Sequence, residues 1–282
     1  MNQLNPNLYY LNFTIKWGIE NYEFRLKFNI EIFGFTIHKL YLRNAELQSP
    51  SSLYKFYRPT TDNLNSLIEK YLYFPDPTNF NDPFDCLSHK NNHLTSINGE
   101  SKVHRENLGV CCFSKIKDSV QMWGLYTDSY KGFCLKFKND EYFMQYQECL
   151  NIKSHVLYLK NLLTDHPNFI ETIEGIENHI HDIEFRKWIK DFVTYYYQYC
   201  SKANSWKYEK EYRMISLFAQ QCNRKIHFLS NNVEEIYIGY NMEQVYRNLL
   251  VNILKSDYPH AKIFEVRPNS NKIKLDFQRI LK

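Results

Sequence analysis

Residues 211–277 read EYRMISLFAQQCNRKIHFLSNNVEEIYIGYNMEQVYRNLLVNILKSDYPHAKIFEVRPNSNKIKLDF. Short strand-like runs appear at 211–218, 225–229, 234–239, 262–266 and 272–277. Only one helical run, 242–256, interrupts them. A doubly wound α/β protein would alternate strand and helix throughout. This stretch mixes them, so the expected fold class is α+β with a mixed, mostly antiparallel sheet and flanking helices.

The same grammar extends upstream. SLYKFYR (52–58) reads as a strand, and TTDNLNSLIEKY (60–71) as a helix capped by Thr61 or Asp62, with Leu64, Leu67, Ile68 and Tyr71 on one face. LYF (72–74), GVCCFS (109–114) and GFCLKFK (132–138) are strand-like; DSVQMWGLYTD (118–128) is a helix with Asp118 as cap. A helical region is expected over 141–201, with a strand at 155–159. Residues 1–48 show apolar residues near every second position and form an N-terminal extension, expected as a β-hairpin. Residues 49–282 are expected to form a single α+β domain.

Bulk composition bounds the function. A chain of 282 residues buries roughly 75% of its unfolded surface and needs no disulfides to hold a core. Seven cysteines, none in a C-x-x-C pair, fit reduced thiols and no zinc site. Met1 is followed by Asn2 and Gln3, without a basic then apolar run, so no signal peptide is expected and a cytoplasmic protein is. No apolar stretch approaches the ~20 residues of a membrane helix. Net charge is +4, too mild to prescribe a nucleic-acid partner. The 23 tyrosines and 20 phenylalanines can build stacking surfaces as well as core. With 8 glycines and no G-x-G-x-x-G or G-x-x-x-x-G-K-[ST], a glycine-rich phosphate cradle is not expected.

Two stretches carry candidate chemistry. PDPTNFNDPFD (75–85) combines three prolines with turn-forming Asn79, Asn81 and Asp82, while Phe80 and Phe84 can anchor it. It reads as a rigid wall beside the first strand and helix, with Asp82 or Asp85 as alternative metal ligands or bases. SWKYEKEYRMIS (205–216), read as a strand, places Glu209, Glu211 and Arg213 on one face. Such charges cannot all be buried unpaired. They form either a local ion pair or a catalytic carboxylate with its neighbours.

Taken in order, LYKFYR (53–58), YFPDPTNFNDPFD (73–85), VCCFS (110–114), MWGLYTDSYKGFCLKF (122–137), WKYEKEYRMI (206–215) and IYIG (236–239) resemble a bacterial family, the domain of unknown function numbered twenty-nine seventy-one. The resemblance starts near Leu53. Where the family's pattern has His-Tyr-Ala-Asp, this chain has Leu125, Tyr126, Thr127 and Asp128. The order of elements also looks like that of ADP-ribosyltransferases, which have a split sheet. That resemblance implies NAD as co-substrate, no metal, and an unknown macromolecular acceptor, protein or nucleic acid, in a toxin or phage-defence setting. It implies Lys55 or Arg58 on the NAD phosphates, Ser114 as a steadying group and Trp123 or Tyr126 stacked on nicotinamide. Glu211 would carry the chemistry and Glu209 would orient the acceptor. The departure from that family is LYK in place of its usual YR or H. Two alternatives stay open: an Mg²⁺-dependent nuclease using Asp82, Asp85 and Glu211 with Lys55 or Lys210, and a non-enzymatic aromatic-rich binding module.

Overall fold

The computed structural model describes residues 8–17, 20–31, 34–42, 45–47, 50–82, 85–86, 108–140, 143, 152–159, 183, 199–216 and 219–281, with backbone alone for 8–47. Pro83, Phe84, His179–His181 and most of the expected 141–201 helical region lie outside the described residues. The chain divides into two compact units. One comprises Met1–Ser49, Asn81–Ile97 and Ser154–Asn204; the other comprises Pro50–Phe80, Asn98–Lys153 and Ser205–Lys282.

In the first unit, β1 (Leu8–Trp17), β2 (Glu20–Glu31), β3 (Gly34–Leu42) and β4 (Ala45–Leu47) pair antiparallel with their sequence neighbours. The alternation in FTIKW and YEFRLKF is the pattern of such a ladder. The register of β1 with β2 runs from Leu8↔Asn29 to Trp17↔Glu20.

The second unit holds the elements that carry the candidate site. They are β5 (Ser52–Tyr57), α1 (Thr61–Ile68), β6 (Tyr71–Tyr73), β7 (Gly109–Ser114), α2 (Val120–Tyr126) and β8 (Phe133–Lys138). β9 (Ile152–His155) crosses the boundary between the units. β10 (Leu157–Leu159) and β11 (Ser201–Ala203) form a parallel pair within the first unit. Then come β12 (Glu211–Ser216), β13 (Lys225–His227), β14 (Val233–Gly239), α3 (Gln244–Asp257), β15 (Lys262–Pro268) and β16 (Leu275–Leu281).

Eight strands form one sheet in the order β16-β15-β14-β8-β5-β7-β12-β9. From β16 to β12 the neighbouring strands pair antiparallel except β14–β15, which is parallel. Mixed helices with a large, mostly antiparallel sheet are therefore the architecture. The sheet narrows at one joint: β5 and β7 share a single register position, Tyr54↔Ser114.

Strand alternation sorts the side chains onto two faces. Leu53, Tyr57, Phe113, Leu135, Phe137, Tyr212, Met214 and Ile236 join Leu64 and Leu67 of α1 and Leu250 and Leu254 of α3 in the main core. Each buried Leu, Ile, Phe or Met among them stabilises the fold by roughly 1.5–3 kcal/mol. Leu250 and Leu254, four residues apart, mark the inward stripe of α3. The opposite face carries a smaller cluster, Trp123, Cys134, Tyr237, Val266 and Leu275.

Several expectations shift by a residue. The α1 cap is Thr60, whose hydroxyl accepts from Asn63 N at 3.3 Å, and not Thr61 or Asp62. Thr60 has the extended backbone a cap requires, which leaves Asp62 in the first turn, where the helix dipole favours it. The α2 cap is Ser119, and not Asp118, for the same reason. Ile68 turns outward, 49% exposed, rather than sharing the buried stripe.

Candidate active site where two strands part

The stretch 205–216 is not one strand. Asn204–Glu209 forms a 3-10 turn, Lys210 takes a left-handed φ of 48°, and β12 starts only at Glu211. The two glutamates therefore flank a backbone reversal instead of repeating along a strand. Two side chains fix the turn. Ser114 Oγ, at the end of β7, donates to the Glu209 carbonyl at 2.6 Å and accepts from Ile116 N at 3.2 Å. Tyr126, the last residue of α2, donates its hydroxyl to Glu209 Oε1 at 2.5 Å. Glu209 is thereby held while 2% exposed.

Glu211 stands opposite Ser114 in the β7–β12 register, and Arg213 opposite Cys112. Arg213 closes a fork on Glu211, Nε to Oε1 at 2.9 Å and Nη2 to Oε2 at 3.1 Å. Both side chains are buried, 0% exposed for Arg213 and 4% for Glu211. Such a two-bonded pair is the geometry in which arginine best offsets a buried carboxylate. The ring of Phe80, from the proline-rich stretch, lies 5.6 Å from the guanidinium carbon. Upstream, Arg224 ties that stretch down by donating to the carbonyls of Phe74 at 3.2 Å and Leu108 at 2.7 Å. The described part of the stretch thus supplies an aromatic wall over Arg213. Asp85, in the other unit, is buried in an ion pair with Lys202 at 3.4 Å.

The Tyr54–Ser114–Glu211 rung continues through Lys136 to Glu235 on the same face. There Lys136 bonds both Glu234 at 3.0 Å and Glu235 at 3.2 Å. Glu235 also accepts from the Tyr237 hydroxyl. Lys117 lies 4.8 Å from the rings of both Tyr237 and Phe277. Burial would raise the Glu235 pKa; the Tyr237 hydroxyl, Lys136 and Lys117 outweigh it and hold the carboxyl below its ordinary value. Burial and the Glu235 bond push the Tyr237 phenol far up, so it stays a donor.

The structure therefore gathers Ser114, Tyr126, Glu209 and Glu211, with Arg213. It places the other candidates elsewhere. Lys55 alternates with Tyr54 and belongs to the helix-covered face; its ammonium donates to Cys112 O at 2.9 Å. Arg58 is exposed, just past the end of β5. Trp123 is fully buried, stacked on Tyr130 at 6.0 Å, edge-on to Phe56 at 5.5 Å, and bonded through Nε1 to Lys117 O at 2.7 Å. Its indole is fully engaged within the protein.

Sequence reasoning missed Lys136, Glu235 and Tyr237, because the rung that joins them to Ser114 and Glu211 is a long-range property of the register. Among the described residues no group of three or more His, Cys, Asp or Glu is placed to hold a metal ion. No described helix is long and apolar enough to cross a membrane.

Comparison with known families places part of this arrangement. Residues 122–214 match the family described as Protein of unknown function (DUF2971). The matched span begins within α2 and runs through Met214 of β12, so it includes Trp123, Tyr126, Glu209, Glu211 and Arg213. No curated protein and no solved structure matches the chain.

Proposed function

We propose that the chain is an NAD-consuming transferase of the ADP-ribosyltransferase type, acting on a macromolecular acceptor. The observation that carries this reading is the convergence of Glu209, Glu211, Ser114 and Tyr126 at the point where β5 and β7 part. In the proposed reaction the bond from ribose C1′ to the nicotinamide nitrogen breaks, and its electron pair leaves with nicotinamide. The positive charge that develops on the ribose resembles the glycosidase transition state. Glu211, fixed by Arg213, stabilises that charge in a site with little water. An acceptor lone pair then bonds C1′, and its proton passes to Glu209. Tyr126 both orients Glu209 and offers the ring beside which nicotinamide would lie. Arg58 is the candidate for the phosphates in this reading, since Lys55 is committed to Cys112 O on the other face.

One observation favours a second reading. Both oxygens of Glu211 already accept from Arg213, as a purely structural clamp would require. Under that reading the chain is a binding module without catalysis. Ligand-observed NMR of NAD with the full chain separates the two. The transferase reading expects saturation transfer to the nicotinamide and ribose protons at NAD concentrations up to about 1 mM, weakened in Tyr126→Phe. Absence of any NAD signal with wild-type protein rejects it.

A further inference from the structure

Glu209 is held by the two ends of one segment. Ser114 bonds its carbonyl and Tyr126 its carboxylate, and between those residues run a loop, 115–119, and α2. Most bonds of the loop are to near neighbours. Ile116 N donates to Ser114 Oγ at 3.2 Å, and Ser119 Oγ accepts from Met122 N at 3.3 Å. Lys117 differs. Its carbonyl accepts from Trp123 Nε1 at 2.7 Å, which ties the loop to α2. Its ammonium donates to the Tyr237 hydroxyl at 3.0 Å and lies 4.8 Å from the rings of both Tyr237 and Phe277. Tyr237 belongs to β14, and β8 and β5 stand between β14 and β7 in the sheet. The loop that leaves β7 is thus fastened to a strand three places away. The seat selects a cation. Ring faces attract positive charge. The Tyr237 hydroxyl, already donating to Glu235, keeps a lone pair for an N–H donor. Glu235 Oε2 lies 4.0 Å from the ammonium. A neutral side chain of the same length would keep the packing and lose all three attractions.

We infer that Lys117 is a positioning residue of the candidate site. By seating its charge on β14 it fixes the middle of the 114–126 segment, so it sets the spacing between Ser114 and Tyr126. That spacing decides where the Glu209 carboxylate is held. Lys117 acts through Tyr126 and Glu209 and contacts neither substrate. The inference rests on the proposed function only in naming the reaction for which Glu209 is positioned; the linkage from Lys117 to Glu209 does not require NAD.

Fluorine NMR of the full chain with 3-fluorotyrosine incorporated at position 126 tests it without NAD. Lys117→Met should shift that resonance in the same sense as Glu209→Gln, which weakens the acceptor of the Tyr126 bond. Lys117→Arg, which keeps the charge, should restore it. Ile263→Val, a core change on the helix-covered face, lowers stability without touching the loop and should leave the resonance in place. Should Lys117→Met not fold, Phe277→Leu removes one ring of the seat and must produce the shift instead. Nicotinamide release from NAD, measured on the same samples, should show kcat of Lys117→Met reduced about tenfold to a hundredfold, with KM for NAD within about twofold of wild type. An unmoved resonance in folded Lys117→Met, an equal shift in Ile263→Val, or an unaltered kcat overturns the inference. The two readings fail separately. A shifted resonance with no nicotinamide release by wild type removes the transferase alone; release with an unmoved resonance removes the positioning alone.

Discussion

At the scale of single residues, the Glu211–Arg213 fork governs both stability and the proposed chemistry. Removing one partner leaves a buried, uncompensated charge. Arg213→Met and Glu211→Leu are each expected to destabilise the fold by about 3–5 kcal/mol. The double variant removes both charges together and should recover most of that loss. Urea unfolding of the four proteins measures the coupling; additive losses would show that the fork does not act as a unit. Tyr126→Phe leaves Glu209 Oε1 without its phenol and should lower stability by roughly 1.5–3 kcal/mol, the range for a bond to a charged group. The fork was legible in sequence, because Glu211 and Arg213 are two apart on a real strand. The placement of Glu209 was not. Its position depends on the turn at Lys210 and on a hydroxyl 95 residues away, at Ser114. Lys55 illustrates the same limit. Sequence marks a cation on the first strand of the site, but only register reveals which face it takes.

At the scale of elements, the connection from α2 to β8 shows how the site is held against the sheet. Asp128, Ser129 and Tyr130 all have left-handed backbones, with φ of 52°, 55° and 66°. Each would be unfavourable alone by roughly 1–2 kcal/mol. Backbone bonds offset this: Ser129 N to Gly124 O at 3.0 Å, Gly132 N to Thr127 O at 2.7 Å and Gly239 N to Gly132 O at 2.9 Å. The turn fits because Gly239 has no side chain. A Cβ there would lie 2.0 Å from Tyr130 O, a backbone atom that cannot move aside cheaply. Gly239→Ala should therefore lower the urea midpoint by the equivalent of at least about 1–3 kcal/mol, with the slope unchanged. An unaltered midpoint would show that the turn is not pinned to β14. The extents of β7, α2, β8 and β14 were readable from apolar runs and turn residues. The strained turn was not, since TDSYKG contains no glycine at its three left-handed positions.

At the scale of the whole molecule, two acidic groups on the large sheet contribute to the response to pH. Burial acts to raise both carboxyls, but Tyr237, Lys136 and Lys117 lower Glu235, while Arg267 and Arg247 lower Glu265. Both folded pKa values lie below the ordinary 4.5. Their stabilisation is present above that value and is lost as pH falls through the depressed ones. Denaturant midpoints measured from pH 6 downward should fall on the acid side. Glu235→Gln and Glu265→Gln should each flatten that fall; an unchanged acid limb in both would contradict the assignment. The mostly antiparallel sheet was legible because local alternation specifies strands. Its order was not, because β5 lies between β8 and β7 only through contacts distant in sequence. The proposed transferase depends on this order, since it alone brings residues 114, 126, 209 and 211 together. The most direct test is nicotinamide release from NAD by the purified chain in the presence of cell lysate as acceptor source, compared with a Glu211→Gln variant verified to be folded. The account predicts release by wild type and a loss on the order of 10²–10³ in rate for the variant; equal release by the folded variant, or none by wild type, would contradict it.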